Sequence, residues 1–260
     1  MDLHMEAKLM KMLNSWPKNA AASAVWLEKL GISRQLRYRY QKSGWIKAIG
    51  NGAFSKLDEQ VSWEGGLYSI QQEKIPIHVG GLTAVGLLGA GHYLRFGKER
   101  IDLFSSPKTV MPKWFKQYKW DRTFSLHATN FLSQNIGLKN FDCSDFSLKI
   151  SSRERAILEC LYLAPNQVDL VECYQILENM NTLRPKVLQS LLESCNSIKV
   201  KRLFLCFAEQ INHPWFKHLD RSEIALGSGS RMLRNGYIYM PKYKISIPQE
   251  LVSSYAEGEF

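Results

Sequence analysis

Apolar residues in the opening segment fall at Met5, Leu9, Met12, Leu13 and Trp16, a spacing that lines one face of a helix, and Pro17 ends it. Ser23, a good N-cap, opens a short second helix that runs to Leu30, where Gly31 can turn the chain. Ile32 plugs that turn. Ser33 then caps a third helix, SRQLRYRYQKSG, which Gly44 terminates. On a helical wheel Leu36 and Tyr40 share one side, and Arg34, Arg37, Tyr38 and Gln41 occupy the opposite one. Arg39 falls near the Leu36 side, where its stem covers the core or its head stretches to a phosphate. Next come Trp45, Ile46, Ile49 and Phe54 around Gly50-Asn51-Gly52, residues that tolerate positive φ and so predict a two-stranded wing.

Beyond residue 60 the period changes several times. Trp63, Leu67 and Ile70 suit a helix, and IPIHVGGLTAVGLLGAGH fits a brief strand and a further helix. From Tyr93 the pattern turns to strands: YLRF and RIDLFS around Gly97-Lys98, TFSLHA at 123–128, and FSLKIS at 146–151. Residues 152–211 read as helices, with breaks at Pro165 and Pro185. EIALGSGSRML and GYIYMPKYKISIP predict two closing strands joined across Arg234-Asn235-Gly236, because Asn-Gly is a strong two-residue turn. The fold class is therefore α+β: an N-terminal winged helix-turn-helix domain, then a C-terminal domain in which a small β-sheet packs with helices, divided as 1–92 and 93–260.

Charge changes this picture at one end. Residues 1–60 hold 10 Lys or Arg against 5 acids, and the other 200 hold 24 against 19, so the same net +5 is more than three times denser in the first part. Between Arg34 and Lys56 there are six Lys or Arg and no acid. Such a field attracts polyanions and suits phosphates and guanines better than an ordinary protein surface. The residues expected to contact duplex DNA are Ser33, Arg34, Gln35, Arg37, Tyr38, Arg39, Gln41 and Lys42, with Lys47 and Lys56 on or beside the wing. The competing reading is an RNA- or protein-binding winged-helix adaptor without operator recognition.

Two further basic stretches stand out. In SPKTVMPKWFKQYKW, Lys108, Lys113, Lys116 and Lys119 alternate with Trp114, Phe115, Tyr118 and Trp120, and IKVKRLFLCFAEQ carries Lys199, Lys201 and Arg202 near its start. The first can bind nucleic acid by charge plus stacking, though lysines solvated over packed aromatics are its commoner explanation, and a solvated helix face is the default for the second. Lys113, Lys116, Lys119, Lys199, Lys201 and Arg202 are also the candidate surface for a second partner.

Little else points to chemistry. Gly80, Gly81, Gly86, Gly89 and Gly91 form no GxxxxGK[ST] and no GxGxxG in a strand-to-helix turn, so they read as packing and turn positions. His213 and His218 have no nearby third ligand, the Gly-Ser-Gly-Ser run at 227–230 reads as a turn, and no nucleophile elbow is visible. No catalytic constellation, cofactor or metal is expected. The five cysteines, Cys143, Cys160, Cys173, Cys195 and Cys206, are odd in number and mostly in apolar helical patterns, as reduced core thiols of a cytoplasmic protein would be. No run of about 18 apolar residues predicts a membrane span.

With the whole chain laid out, the order of elements resembles the AbiEi family, antitoxins and transcriptional regulators of bacterial type IV toxin-antitoxin systems. The resemblance is carried by the N-terminal winged-helix pattern, the block WEGGLYSIQQEKIPIHVGGLTAVGLLG from Trp63, SSRERAILECL from Ser151, and LGSGSRMLRNGYIYMPKYKISIP from Leu226. It implies repression of the protein's own operon through inverted repeats in duplex DNA, which ask for two copies on one face of the duplex. It also implies a C-terminal domain that counteracts a nucleotidyltransferase toxin encoded alongside, without requiring a stable complex.

Overall fold

The computed structural model describes residues 3–89 and 100–256. The N-terminal unit opens with α1 (Leu3–Ser15), which buries Leu9 and Met12, and Trp16 just beyond it is buried too. A short strand β1 (Ala22–Ser23) follows, then α2 (Ala24–Lys29), α3 (Arg34–Lys42), and the antiparallel pair β2 (Ile46–Gly50) and β3 (Ala53–Lys56). The Ser23 hydroxyl accepts from the Trp26 amide, and the Ser33 hydroxyl from the Leu36 amide, so both expected N-caps are in place. Between the two helices Gly31 takes φ +78°, a left-handed conformation that side chains resist. The sequence pattern gave no sign of β1, which is only two residues long. It pairs with β3, making a three-stranded sheet of order β1-β3-β2.

Helix α4 (Trp63–Gln72) leads into a five-stranded sheet of order β6-β5-β4-β8-β7. Its strands are β4 (Ile77–Val79), β5 (Arg100–Ser105), β6 (Thr123–Ala128), β7 (Leu138–Cys143) and β8 (Phe146–Ser151). The strand β7, in LKNFDC, lies in a stretch from which no strand was expected. The expected strand at 93–96 and turn at Gly97-Lys98 lie outside the described residues. On one sheet face Ile77, Val79, Ile101, Leu103, Leu148 and Ile150 form a core with Trp63, Leu67 and Ile70 of α4 and Trp114 and Phe115 of α6 (Lys113–Gln117). Full burial of each such aliphatic side chain stabilises the fold by about 1.5–3 kcal/mol. The other face meets α5 (Gly81–Leu87) and α7 (Arg153–Leu163). The central strand β4 precedes the 92/93 division expected from the sequence, while its partners β5 and β8 follow it, so one sheet joins chain from both sides.

Four helices, α7, α8 (Leu170–Glu178), α9 (Pro185–Glu193) and α10 (Ile198–Ile211), enclose the largest core, closed by a hairpin of β9 (Ile238–Met240) and β10 (Ile245–Ile247) and by α11 (Gln249–Ala256). Here the structure corrects the sequence reading. The hairpin turns across Pro241–Lys244 rather than Arg234-Asn235-Gly236, and EIALGSGSRML makes only an isolated bridge, Arg231 to Ile245. The cause is Arg202, whose guanidinium donates to the carbonyls of Leu226, Gly227, Gly229 and Lys244 and ties the 226–229 segment to α10. The Leu226, Gly227 and Gly229 carbonyls face this guanidinium, and the Lys244 carbonyl accepts from it and from the Arg231 amide as well.

Candidate nucleic-acid interface

Helix α3 presents one face to the core and one to solvent. Tyr40 and Arg37 are buried, Leu36 and Gln41 are half-buried, and Ser33, Arg34, Gln35, Tyr38, Arg39 and Lys42 are exposed. Positions 34, 35, 38, 39 and 42 recur at the helical period and form a continuous stripe. Within it the Lys42 ammonium lies 5.6 Å from the centroid of the Tyr38 ring, which is 60% exposed.

Two residues depart from the wheel. Arg37, expected on the outward face, is only 7% exposed. Its guanidinium donates to the carbonyls of Ile32 (3.1 Å) and Ala24 (3.4 Å) and to the Glu28 carboxylate (3.0 Å), and lies 6.0 Å from the Phe54 ring centroid. Its donors are taken by α2 and by the turn before α3, so it locks α2 to α3. Arg39, expected near the core side, is exposed. The true core side is centred between Arg37 and Tyr40, which turns the outward stripe toward Arg39.

The hairpin contributes less free charge than its sequence promises. Lys47 is exposed and donates to the Leu57 carbonyl at 2.9 Å, a bond a phosphate can replace. Lys56 is half-buried and pairs with Glu59 at 3.2 Å, so its charge is compensated in place. Gln41 donates to the Arg37 carbonyl at 3.4 Å.

Of the other basic residues, Lys113, Lys116 and Lys119 are exposed, with Trp114 and Phe115 packed beneath them. The second patch is corrected. Arg202 is 1% and Lys201 4% exposed, Lys201 donating to the Ala225 carbonyl at 3.2 Å. Lys199 is half-buried and donates to the carbonyls of Tyr162 and Ala164, and burial pushes its ammonium below the usual lysine range. All three are bonded to main-chain carbonyls of the C-terminal part, and Lys201 and Arg202 are withdrawn from the surface. Main-chain carbonyls supply the compensation, and hydropathy patterns do not register carbonyls.

A buried polar cluster lies on the sheet face under α5 and α7. Glu159 accepts from His78 Nε2 (2.9 Å), the Gly81 amide (2.9 Å), the Ser151 hydroxyl (2.7 Å) and Arg155 Nε (2.8 Å). Burial alone would raise its pKa, but His78, Arg155 and Ser151 outweigh burial and hold the carboxyl down at about 2. Glu154 behaves alike: burial opposes its ionisation, and bonds from Arg184 and Ser152 still bring it to about 2. Beside them Asp102 accepts from His127 at 3.0 Å. Glu159 and Arg155 thus join β4, α5, β8 and α7 internally, as keystones of the sheet–helix junction. Among the described residues no group of three or more His, Cys, Asp or Glu could hold a metal ion. His213 is satisfied by the Glu178 carbonyl at 2.9 Å. The five cysteines are free thiols, four of them buried. No helix among the described residues is long and apolar enough to cross a membrane.

A regulator built in two parts is the class that comparison with known proteins defines. The family model described as "Transcriptional regulator, AbiEi antitoxin N-terminal domain" matches residues 5–96, and that described as "Transcriptional regulator, AbiEi antitoxin, Type IV TA system" matches residues 98–248. Together they span nearly the whole chain, which belongs to the AbiEi family of antitoxins and transcriptional regulators. Among solved structures, the RV2827C protein from Mycobacterium tuberculosis is similar at a TM-score of 0.56 and 12% identity, covering 92% of this chain and 89% of that one. At that identity the likeness bears on fold alone. No curated protein sequence matches the chain.

Proposed function

We propose that the N-terminal unit is a winged helix-turn-helix that binds inverted repeats in duplex DNA upstream of its own operon and represses it. The remainder of the chain, from about residue 93, serves antitoxicity against a nucleotidyltransferase toxin. One observation carries the DNA half: the solvent face of α3 displays Arg34, Gln35, Tyr38, Arg39 and Lys42 with no acid on the helix, while its opposite face is fixed in the core. Arginine and glutamine at base edges supply sequence readout, and the neighbouring lysines hold phosphates. The order helix, strand, helix, helix, hairpin, with α3 directly before the hairpin, supports seating α3 in a major groove and the hairpin beside it. Arg37, Lys56 and Gln41 drop out of the free contact set, and Arg39 stays in it, on the outward stripe rather than at its margin.

Inverted repeats require two copies on one face of the duplex, with half-site centres about 34–36 Å apart or a multiple of that. The test is a gel shift with the upstream DNA of the operon. Arg34→Ala and Arg39→Ala each weaken binding in an intact fold, and unchanged affinity in both would sink the assignment of α3. Selection of structured RNA instead of dyad-symmetric DNA from a random pool would replace this reading with the adaptor alternative.

A further inference from the structure

We propose that α6 belongs to the duplex-binding surface, with Lys113, Lys116 and Lys119 holding DNA phosphates beside the half-site that α3 reads. This rests on the DNA-binding function proposed above for α3 and the hairpin.

Gly50 is the last residue of β2, where the hairpin turns. A Cβ placed on Gly50 would lie 3.1 Å from the Cα of Trp114 and 2.7 Å from its Cβ, the latter a separation that real side chains essentially never show. The backbone of the hairpin therefore touches the first turn of α6 with nothing between them. Trp114 and Phe115 enter the core that also takes Ala53 and Ile49, fixing α6 against the hairpin as one body. With those two aromatics turned inward, Lys113 and Lys116, three positions apart, share the exposed side of the short helix, and Lys119 follows just beyond it. Residues 106–120 contain four lysines and no acid, and no described residue forms an ion pair with Lys113, Lys116 or Lys119. Lys47, on the same hairpin, is exposed as well.

The chemistry of these side chains favours a polyphosphate over a protein. Lysine is depleted at the centres of protein interfaces because its ammonium is costly to dehydrate and its stem costly to immobilise. A nucleic-acid backbone asks for neither. It presents a charge every few ångströms to an ammonium that stays hydrated, and the release of condensed counterions drives the contact. A duplex lying along the hairpin reaches α6 next, because the two elements are in backbone contact.

The experiment is a salt titration of operator binding by the full chain and by the Lys113→Ala/Lys116→Ala/Lys119→Ala variant. If each lysine holds one phosphate, the slope of log affinity against log salt becomes shallower by about 2.7, at about 0.9 per phosphate. Affinity falls by the same factor for operator and unrelated duplex, since phosphate contacts carry no sequence information. A thermal melt confirms the fold. Should the alanine variant unfold, the Lys→Gln triple variant, which keeps long stems over the aromatics, replaces it. An unchanged slope and affinity in a folded variant overturns the proposal. So does intact DNA binding with lost toxin neutralisation, which would assign α6 to a protein partner. Wild-type protein that binds no duplex would overturn the parent reading first, an outcome distinguishable because it precedes any comparison of variants.

Discussion

Arg37 reaches back across the turn between α2 and α3 to place Nη2 3.0 Å from Oε1 of Glu28, while Nη1 donates to the Ile32 and Ala24 carbonyls. The bond to Glu28 is the weaker part, since that carboxylate is 58% exposed and screened by water. The two carbonyls, one at the start of α2 and one in the turn, matter more, because they lie where the guanidinium is buried.

Arg37→Ala should therefore cost about 2 kcal/mol of stability, the scale of losing charged hydrogen bonds at a buried position. Arg34→Ala, on the exposed stripe of the same helix, should stay within about 0.5 kcal/mol of wild type. Denaturant unfolding followed by the signal of the N-terminal unit checks both. Reduced DNA affinity then has opposite meanings in the two variants: a loosened fold in the first, a lost contact in the second. Equal melts would return Arg37 to the contact surface.

Arg202 offers the same contrast on a larger scale. Its guanidinium satisfies carbonyls from Leu226, Gly227, Gly229 and Lys244, and the residue is 1% exposed. Arg202→Ala should destabilise the C-terminal part by about 3 kcal/mol. Residues 226–230 should become the first site of proteolytic cutting, detected by mass spectrometry of a limited digest. A variant as stable as wild type would show that Arg202 serves at a surface after all.

Acid should weaken the sheet–helix junction. Glu154 and Glu159 ionise at about 2 in the folded chain against 4.5 for the unperturbed group, so the unfolded chain binds their protons more tightly. Their stabilisation is complete above about pH 4.5 and drains away as the pH falls toward 2. Urea midpoints measured from pH 6 down to pH 3 should decline, and Glu159→Gln should flatten part of that decline. At neutral pH the same substitution leaves Arg155 buried without its counter-ion, a loss of about 3–5 kcal/mol. A Glu159→Gln profile parallel to wild type would mean that the carboxyl is not ionised in the fold.

Much of the local structure was legible because amphipathic periods and caps are written in neighbouring residues. The helices α1, α2 and α3, the serine caps of the latter two, the Asn51-Gly52 turn and the strands at 123–128 and 146–151 all follow from residues within one or two turns of each other. β1 escaped because two residues carry no period, and β7 because LKNFDC alternates poorly at a half-exposed edge. A turn does form at Asn235-Gly236, where the Tyr237 amide donates to the Arg234 carbonyl and Gly236 takes φ +82°, but the segment before it is bonded to Arg202, about 24 residues away along the chain for Leu226, and does not pair as a strand across that turn.

The basic residues show the same division. In a sequence every Arg and Lys on an amphipathic helix reads as solvent-facing, because burying a charge without a partner is prohibitive. The partners here are carbonyls: 5 and 13 residues from Arg37, and 24 to 42 residues from Arg202. No pattern of side chains announces them.

The amino-acid sequence by itself determined the order of elements, the density of positive charge at the N-terminus, and the family, because each depends on residue identity and short spacing. Only the tertiary structure decided which cations are free. It buried Arg37, Lys201 and Arg202, compensated Lys56, turned Arg39 outward, and brought α6 against the hairpin at Gly50. A buried charge that carbonyls of its own chain have already claimed cannot act on a partner, and that is settled by where distant backbone comes to rest.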